Sequence, residues 1–131
     1  MASRTRDKAK ARVESKDTRP SATAKYIRIS PSKVRVVMDV VRGKSVVEAL
    51  AILENLPKAA SEPLIKLISS AAANAEDRNF AAREDLFVAE IKADAGPILK
   101  RYQAVSKGRA HSIMKRTSHF TVVLDAKKKE A

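Results

Sequence analysis

The spacing of the apolar residues changes near Asp85, and this change limits the fold more than any other feature of the chain. Before Asp85, apolar residues recur every three or four positions, as in Val34, Val37, Met38 and Val41, which is typical of a helix with one buried face. From Asp85 onward, apolar and polar residues alternate, which is typical of strands. The chain is therefore predicted to form most of its helices before most of its strands.

Local signals give approximate bounds to these elements. Ser30 and Pro31 predict a helix start, because serine can cap free amides and proline is tolerated in a first turn. Gly43 predicts the end of that helix, and Ser45 with Glu48 forms a capping box for the next. The predicted elements are a strand over Ala24–Ile29, helices from Pro31 to Gly43, from Ser45 through Leu53 and from about Lys58 to about Arg78, and strands over Leu86–Ala93 and Met114–Leu124. Pro63 must lie in the first turn of the third helix or kink it, so the regular part of that helix is placed after Glu62.

The segment between the last two strands predicts a long hairpin. Its tip is expected near Ser106-Lys107-Gly108, because Gly108 can adopt a positive φ. Ten residues from Pro97 to the tip would project roughly 30 Å. Such an arm has too few apolar side chains to bury a core, and isolated hairpins are marginally stable in water, so an external partner is expected to hold it.

The charge distribution indicates what that partner is. The chain has 27 Lys and Arg against 15 Asp and Glu, and residues 21–95 are nearly balanced. Residues 96–124 contain six basic and no acidic residues. An unopposed positive field of this kind fits the phosphates of a nucleic acid. Solubility alone does not require it, because a surface with both positive and negative charges is equally soluble.

Composition predicts one domain with charged ends. Residues 1–22 are predicted to be a basic flexible tail, residues 23–125 a globular RNA-binding domain with the hairpin arm at 97–117, and residues 126–131 a basic C-terminal tail. The chain has no Cys, which excludes disulfides and thiolate chemistry, and no apolar run of about 20 residues that would span a membrane. Acidic residues in the first 20 positions argue against a transit peptide.

Six segments in order along the chain resemble the bacterial-type ribosomal protein L-twenty-two family: Ala24–Arg35, Arg42–Leu53, Ala71–Glu76, Gly96–Arg101, Gly108–Ala110 and Lys115–Val123. The resemblance implies an α+β fold in which three helices pack on a small antiparallel sheet with a long extended β-hairpin. It also implies a structural, non-enzymatic constituent of the large ribosomal subunit in the cytoplasm, without a cofactor. Such a protein would be a monomer within the ribosome, bind large-subunit rRNA, support assembly, contact neighbouring large-subunit proteins and line the nascent-peptide exit tunnel with its hairpin.

The resemblance also implies which residues contact rRNA. Those of the globular part are Arg28, Lys33, Arg35, Arg42 and Lys44, and those of the hairpin are Lys100, Arg101, Lys107, Arg109, Lys115 and Arg116, with Ser118 and His119 as further hydrogen-bonding residues. The tunnel-lining tip would comprise Tyr102, Gln103, Ala104, Val105, Ser106, Lys107, Gly108 and Arg109.

The chain departs from the family pattern in two places. The family usually has Pro-Arg-Ala-Arg/Lys before the Gly-Arg-Ala at the tip, whereas this chain has Ala104-Val105-Ser106-Lys107. The tip is therefore expected to be less positive and more flexible. Phe120 stands where an aliphatic residue is usual, which predicts a change in packing.

Other functions are less consistent with the residues. A DNA-binding architectural protein with β-arms would need an apolar wedge at the tip and a dimer interface, but the tip residues are small and the helices are predicted to have no surplus apolar face. Ser118, His119 and Asp125 do not have the spacing of a catalytic triad, and no metal site is expected at His111 or His119. Tyr102 is equally suited to stacking on a base and to packing across the hairpin.

Overall fold

The computed structural model describes residues 2–127, with side chains from residue 4 onward. Within that range the helices are α1 (Ala2–Glu14), α2 (Pro31–Val41), α3 (Val46–Asn55) and α4 (Ser61–Asp77), followed by a 3-10 turn over Arg83–Asp85. The strands are β1 (Ser21–Ile27), β2 (Leu86–Ala95), β3 (Leu99–Ala104), β4 (Ala110–Lys115) and β5 (Ser118–Ala126). Of the predicted C-terminal tail, residues 128–131 lie outside the described residues.

The sheet and three of the helices enclose one core. Strands β1, β5 and β2 form an antiparallel sheet in that order, and β3 and β4 form a separate antiparallel hairpin. Helix α4 contacts β1 and β5, whereas α2 and α3 contact β2. Alternate residues of β5 are buried under these helices: Ser118, Phe120, Val122 and Leu124. The predicted α+β fold, with three helices on a small antiparallel sheet and an extended hairpin, is confirmed.

Phe120 shows how the sheet accepts an aromatic residue at its centre. Its side chain is fully buried, and its cross-strand neighbours in the register are Ala24 on β1 and Ala93 on β2. Side chains opposite one another on a sheet share the same face and touch. Two alanines beside Phe120 therefore leave the space that its ring fills.

The starts of α2 and α3 confirm one capping prediction and correct another. The Ser45 hydroxyl accepts a hydrogen bond from the Glu48 amide at 3.3 Å, as the capping box predicts. Ser30 precedes α2 and Pro31 opens it, but the Ser30 side chain makes no capping bond. Its hydroxyl lies 3.0 Å from that of Ser32, and this local bond replaces the predicted cap.

Helix α4 begins at Ser61, between the predicted start near Lys58 and the predicted regular part after Glu62. Residues 59–60 form a turn, and the Ser61 hydroxyl donates to the Leu56 carbonyl at 3.1 Å. Pro63 is the third residue of α4, where its missing N–H costs no helical hydrogen bond. Of the two predicted alternatives for Pro63, the structure therefore shows the position in the first turn. The apolar stripe predicted on this helix is buried: Leu64, Leu67, Ile68, Ala71 and Ala75.

The single strand predicted over Met114–Leu124 is wrong, because β4 ends at Lys115 and β5 begins at Ser118. Pro97, which lacks an N–H, interrupts the opposite strand at the same level. Thr117 fills the break, since its hydroxyl donates to the Pro97 carbonyl at 2.6 Å and its own carbonyl accepts from the Gly96 amide at 2.9 Å. The hairpin is thus a sheet of its own, joined to the core through this junction.

The N-terminal segment also differs from its prediction, because Ala2–Glu14 forms α1 instead of remaining irregular. Every side chain described in α1 is exposed. Its sequence is rich in Ala, Lys and Arg, which have high intrinsic helix propensity. Local propensity, and not burial, therefore accounts for this helix. Across residues 2–127, no helix combines the length and apolar character that a membrane span requires.

Candidate nucleic-acid interface

The hairpin extends into solvent on both of its faces. All six residues of β3 and all six of β4 are exposed. In the register, Arg101 lies opposite Ile113 and Leu99 opposite Lys115, so these four side chains share one face. Lys100, opposite Met114, lies on the other face. Because both faces carry cations beside apolar side chains, the hairpin is suited to a partner that surrounds it.

The tip is a tight turn at the predicted place. The Val105 amide donates to the Arg109 carbonyl at 2.9 Å and closes the loop. Gly108 has φ 67°, as predicted, and Lys107 also has a positive φ of 59°. A lysine in this conformation is uncommon, and two successive positive φ angles produce the twist that tight hairpins favour.

The cations of the hairpin have no acidic partner within it, because residues 96–124 contain no Asp or Glu. Arg101 donates to the carbonyl of Lys100, and Arg116 contacts the Met114 sulfur at 3.8 Å. Neither contact neutralises a charge. The full positive charge of the hairpin is therefore available to an anionic partner.

Two predicted rRNA contacts of the globular part also hold the fold together. Arg35 donates to the Ala93 carbonyl at 2.9 and 3.2 Å, and Arg42 donates to the Ile91 carbonyl at 3.0 Å. Arg35 lies in α2 and Arg42 is the residue that follows its last turn, and the two carbonyls lie on one edge of β2. The sequence analysis did not predict these two arginine–carbonyl contacts between α2 and β2, although the spacing of seven residues between Arg35 and Arg42 was a signal for them.

The cations of the globular part differ in how many contacts they make within the protein. Arg42 also pairs with Asp39 at 2.6 Å, and Lys44 pairs with Glu48 at 3.2 Å. The Lys33 side chain is exposed and forms no hydrogen bond or ion pair with any residue of the described range 2–127. Arg28 donates to the carbonyl of Arg116, so it links β1 to the base of the hairpin.

Ser118 and His119 point to opposite faces of β5, as the alternation of a strand requires. Ser118 is fully buried, and its hydroxyl donates to the Ile29 carbonyl at 2.7 Å. This burial corrects the prediction for Ser118, whose hydroxyl is occupied inside the core. His119 accepts a hydrogen bond from the Tyr26 amide at its Nδ1, at 3.0 Å. The opposite orientation also excludes the triad geometry.

An ion-pair network ties the segment before β1 to β2. Arg19 contacts Asp17 at 2.6 Å and Glu90 at 2.7 Å. Hydrogen bonds from Arg19 lower the pKa of Asp17 from 3.8 to about 2, and the bonds to Asp17 and Glu90 raise the pKa of Arg19. This network fixes the chain as it enters the sheet.

The prediction that the helices have no surplus apolar face is wrong. Val36 and Val40 on α2 and Val47 on α3 are 65%, 41% and 54% exposed. The buried stripe of α2 is only part of its apolar surface. Val36 and Val40 are four residues apart, so they lie side by side on the exposed face of the helix.

Comparison with known proteins assigns the chain to a family. A model of the family described as ribosomal protein L22p/L17e matches residues 22–125. The chain is a member of the ribosomal protein L22p/L17e family. The resemblance seen in the sequence is thereby confirmed, and so is the prediction that the protein is not an enzyme, since the family is structural. Helix α1 lies outside the matched residues.

Three relatives carry the name large ribosomal subunit protein uL22. The one from Clostridium novyi (strain NT) is 53% identical over 103 residues, which are 79% of this chain and 93% of the relative. Those from Halothermothrix orenii and Desulfitobacterium hafniense are 50% and 53% identical over 107 residues, which are 82% of this chain and 95% and 94% of the relatives.

Proposed function

We propose that this L22p/L17e family member binds large-subunit rRNA through the β3–β4 hairpin and the cations around its base, and that the hairpin tip lines the nascent-peptide exit tunnel. The coarser assignment follows from the family: the protein is a structural constituent of the large ribosomal subunit. The observation that carries the finer proposal is a two-stranded sheet exposed on both faces, with six cations and no acid between residues 96 and 124.

The physical basis is the stability of the hairpin. Twelve residues with both faces in solvent gain little from burial, and two-stranded ribbons are marginal alone. Phosphates on either side would neutralise Lys100 on one face and Arg101 and Lys115 on the other. RNA folded around the arm would therefore supply both the charge and the contacts that the hairpin lacks.

A charge-matched pair of variants tests the rRNA contact. Neutralising Lys100, Arg101 and Lys115 to Gln removes three hairpin cations, and neutralising Lys58, Lys66 and Arg78 to Gln removes three exposed cations from the helical side. Filter binding to a large-subunit rRNA transcript should show a salt slope about 3 units shallower for the hairpin variant and little change for the control. Equal losses for both variants would contradict a hairpin-centred interface.

The tunnel assignment has its own test, because the chain contains no Cys. A single Ser106→Cys at the tip can carry a thiol-reactive cross-linker, and Glu54→Cys at an exposed position of α3 is the matched control. In ribosomes holding a stalled nascent chain, cross-links to that chain should form from position 106 and not from position 54. Cross-links from neither position would refute the tunnel assignment while leaving rRNA binding intact.

Further parts of the proposal concern partners. Contact with neighbouring large-subunit proteins is consistent with the exposed valines at 36, 40 and 47. The isolated protein is expected to be a monomer that prefers structured rRNA to duplex DNA at moderate salt. A tight dimer with equal affinity for both nucleic acids, measured by sedimentation and competition binding, would favour an architectural DNA-binding role instead.

A further inference from the structure

Tyr26 occupies an irregular position at the end of β1 nearest the hairpin. In the register, Ala24 lies opposite Phe120 and Ile27 opposite Ser118, so Lys25 and Tyr26 together face His119. Two residues against one define a β-bulge. Bulges redirect side chains at sheet edges and next to binding sites, and β1 is an edge strand.

The backbone of Tyr26 is in an unfavourable conformation. Its φ is 58°, in the left-handed region that glycine and asparagine tolerate and bulky side chains avoid. Conformations of this kind persist only when surrounding contacts enforce them, and they concentrate at binding sites. The bulge alone therefore does not explain why a tyrosine occupies this position.

Contacts within the protein hold Tyr26 but do not bury it. Its amide donates to Nδ1 of His119 at 3.0 Å, and its ring meets the His119 ring edge-to-face, with centroids 4.9 Å apart at 86°. Even so, Tyr26 is 66% exposed. Burial of apolar surface accordingly does not explain why a strained position carries a tyrosine.

The surroundings of the ring fit RNA. Lys25 precedes Tyr26 in the bulge, and Arg28 reaches the carbonyl of Arg116 at the base of the hairpin. Asp94 of β2 lies beside His119 in the register, so one carboxylate shares this face of the sheet. An exposed aromatic ring with cationic residues close to it in the chain can stack on an unpaired base while the cations hold phosphates nearby.

We propose that the exposed ring of Tyr26 is a stacking site for an unpaired nucleobase of the RNA, and that His119 is the positioning residue that holds the bulge. This inference rests on the rRNA binding proposed above. It assigns His119 an indirect role, because its Nδ1 accepts the Tyr26 amide.

Substitution of Tyr26 separates the stacking role from a structural one. Tyr26→Asn removes the ring and suits a positive φ, so its melting temperature should equal or exceed that of the wild type. Its affinity for a large-subunit rRNA transcript should nevertheless fall about 5- to 150-fold, whereas Tyr26→Phe should bind like the wild type. An Asn variant that binds as tightly as the wild type would overturn the inference.

Ultraviolet cross-linking identifies the contact directly. In the wild-type complex with the transcript, mass spectrometry should find a nucleotide adduct on Tyr26. His119→Ala should lower its yield, and His119→Asn, which retains a hydrogen-bond acceptor, should restore part of it. Absence of the Tyr26 adduct from a complex that forms normally would refute this site alone. Failure of the wild type to bind the transcript would instead refute the proposed function.

Discussion

Replacing Gly96 by Ala tests the junction between the core and the hairpin. A Cβ at position 96 would lie 2.5 Å from the Thr117 hydroxyl oxygen and 3.2 Å from Cε1 of His119. The first distance is shorter than any normal contact, so the Thr117 side chain must move. Thr117 is only 5% exposed, and threonine is stiff about χ1, so it has little room to turn.

The cost follows from two effects. Crowding in a packed site typically destabilises by about 1–3 kcal/mol, and loss of the 2.6 Å bond from Thr117 to the Pro97 carbonyl adds about 1 kcal/mol. The reduced freedom of the unfolded chain on replacing Gly returns about 0.4–1 kcal/mol. The net loss of unfolding free energy is expected to be about 2 kcal/mol, which lowers the melting temperature of a domain of this size by about 8 °C or more.

Thermal unfolding followed by circular dichroism measures this loss, and a double variant identifies its cause. Removing the clashing atom with Thr117→Ala should make Gly96→Ala nearly neutral when the two substitutions are combined. A Gly96→Ala protein as stable as the wild type would refute the reasoning. So would a double variant in which the two losses simply add, because the clash with Thr117 would then not be the source.

Three further predictions concern the fold. Deleting Leu99–Ala110 should leave the helical circular dichroism and the cooperative melt intact, because every residue of β3 and β4 is exposed; global unfolding would contradict the division into core and arm. Ser45→Ala should lower the unfolding free energy by about 1 kcal/mol in denaturant titrations, since it removes the bond to the Glu48 amide. An unchanged midpoint would show that this cap does not stabilise the fold. The pKa of Asp17 is lowered from 3.8 to about 2 by Arg19, so its stabilising contribution should be present above pH 3.8 and lost as the pH falls through 2. Asp17→Asn should therefore be less stable than the wild type at pH 5, and this difference should shrink as the pH falls from 3.8 through 2; a pH-independent difference would exclude this carboxylate as the cause.

Periodicity predicted the parts of the fold that burial controls. The stripe of Val34, Val37, Met38 and Val41 is buried in α2 as its spacing indicates. The sequence also placed the hairpin tip, because Gly108 and the small residues around it leave few other sites for a turn. Signals that combine spacing with residue type were therefore sufficient for these elements.

Features that depend on contacts between distant segments could not be predicted in this way. The break between β4 and β5 arises because Thr117 bonds to Pro97, which is twenty residues away in the chain. The bulge at Tyr26 depends on His119 of another strand. Arg35 and Arg42 read as surface charges in sequence, although the structure engages both with carbonyls of β2.

Arginines that serve the fold and the interface together affect how mutations should be interpreted. Loss of Arg35 or Arg42 would leave carbonyls of the β2 edge without donors and so destabilise the fold. A lower RNA affinity of such a variant could then come either from the lost RNA contact or from the lower stability. Lys33 and the hairpin cations avoid this ambiguity, because within residues 2–127 their side chains donate no hydrogen bond to a strand of the core sheet. These residues are the ones on which the RNA contact is best measured.

Sedimentation of the native protein tests the central claim most directly. A lysate is fractionated through a sucrose gradient with and without a high-salt wash, and the protein is followed by immunoblotting. An arm embedded in rRNA should keep the protein with the large subunit after the wash, and deletion of Leu99–Ala110 should release it. Wild-type protein that moves to the soluble fractions after the wash would contradict an rRNA-embedded hairpin.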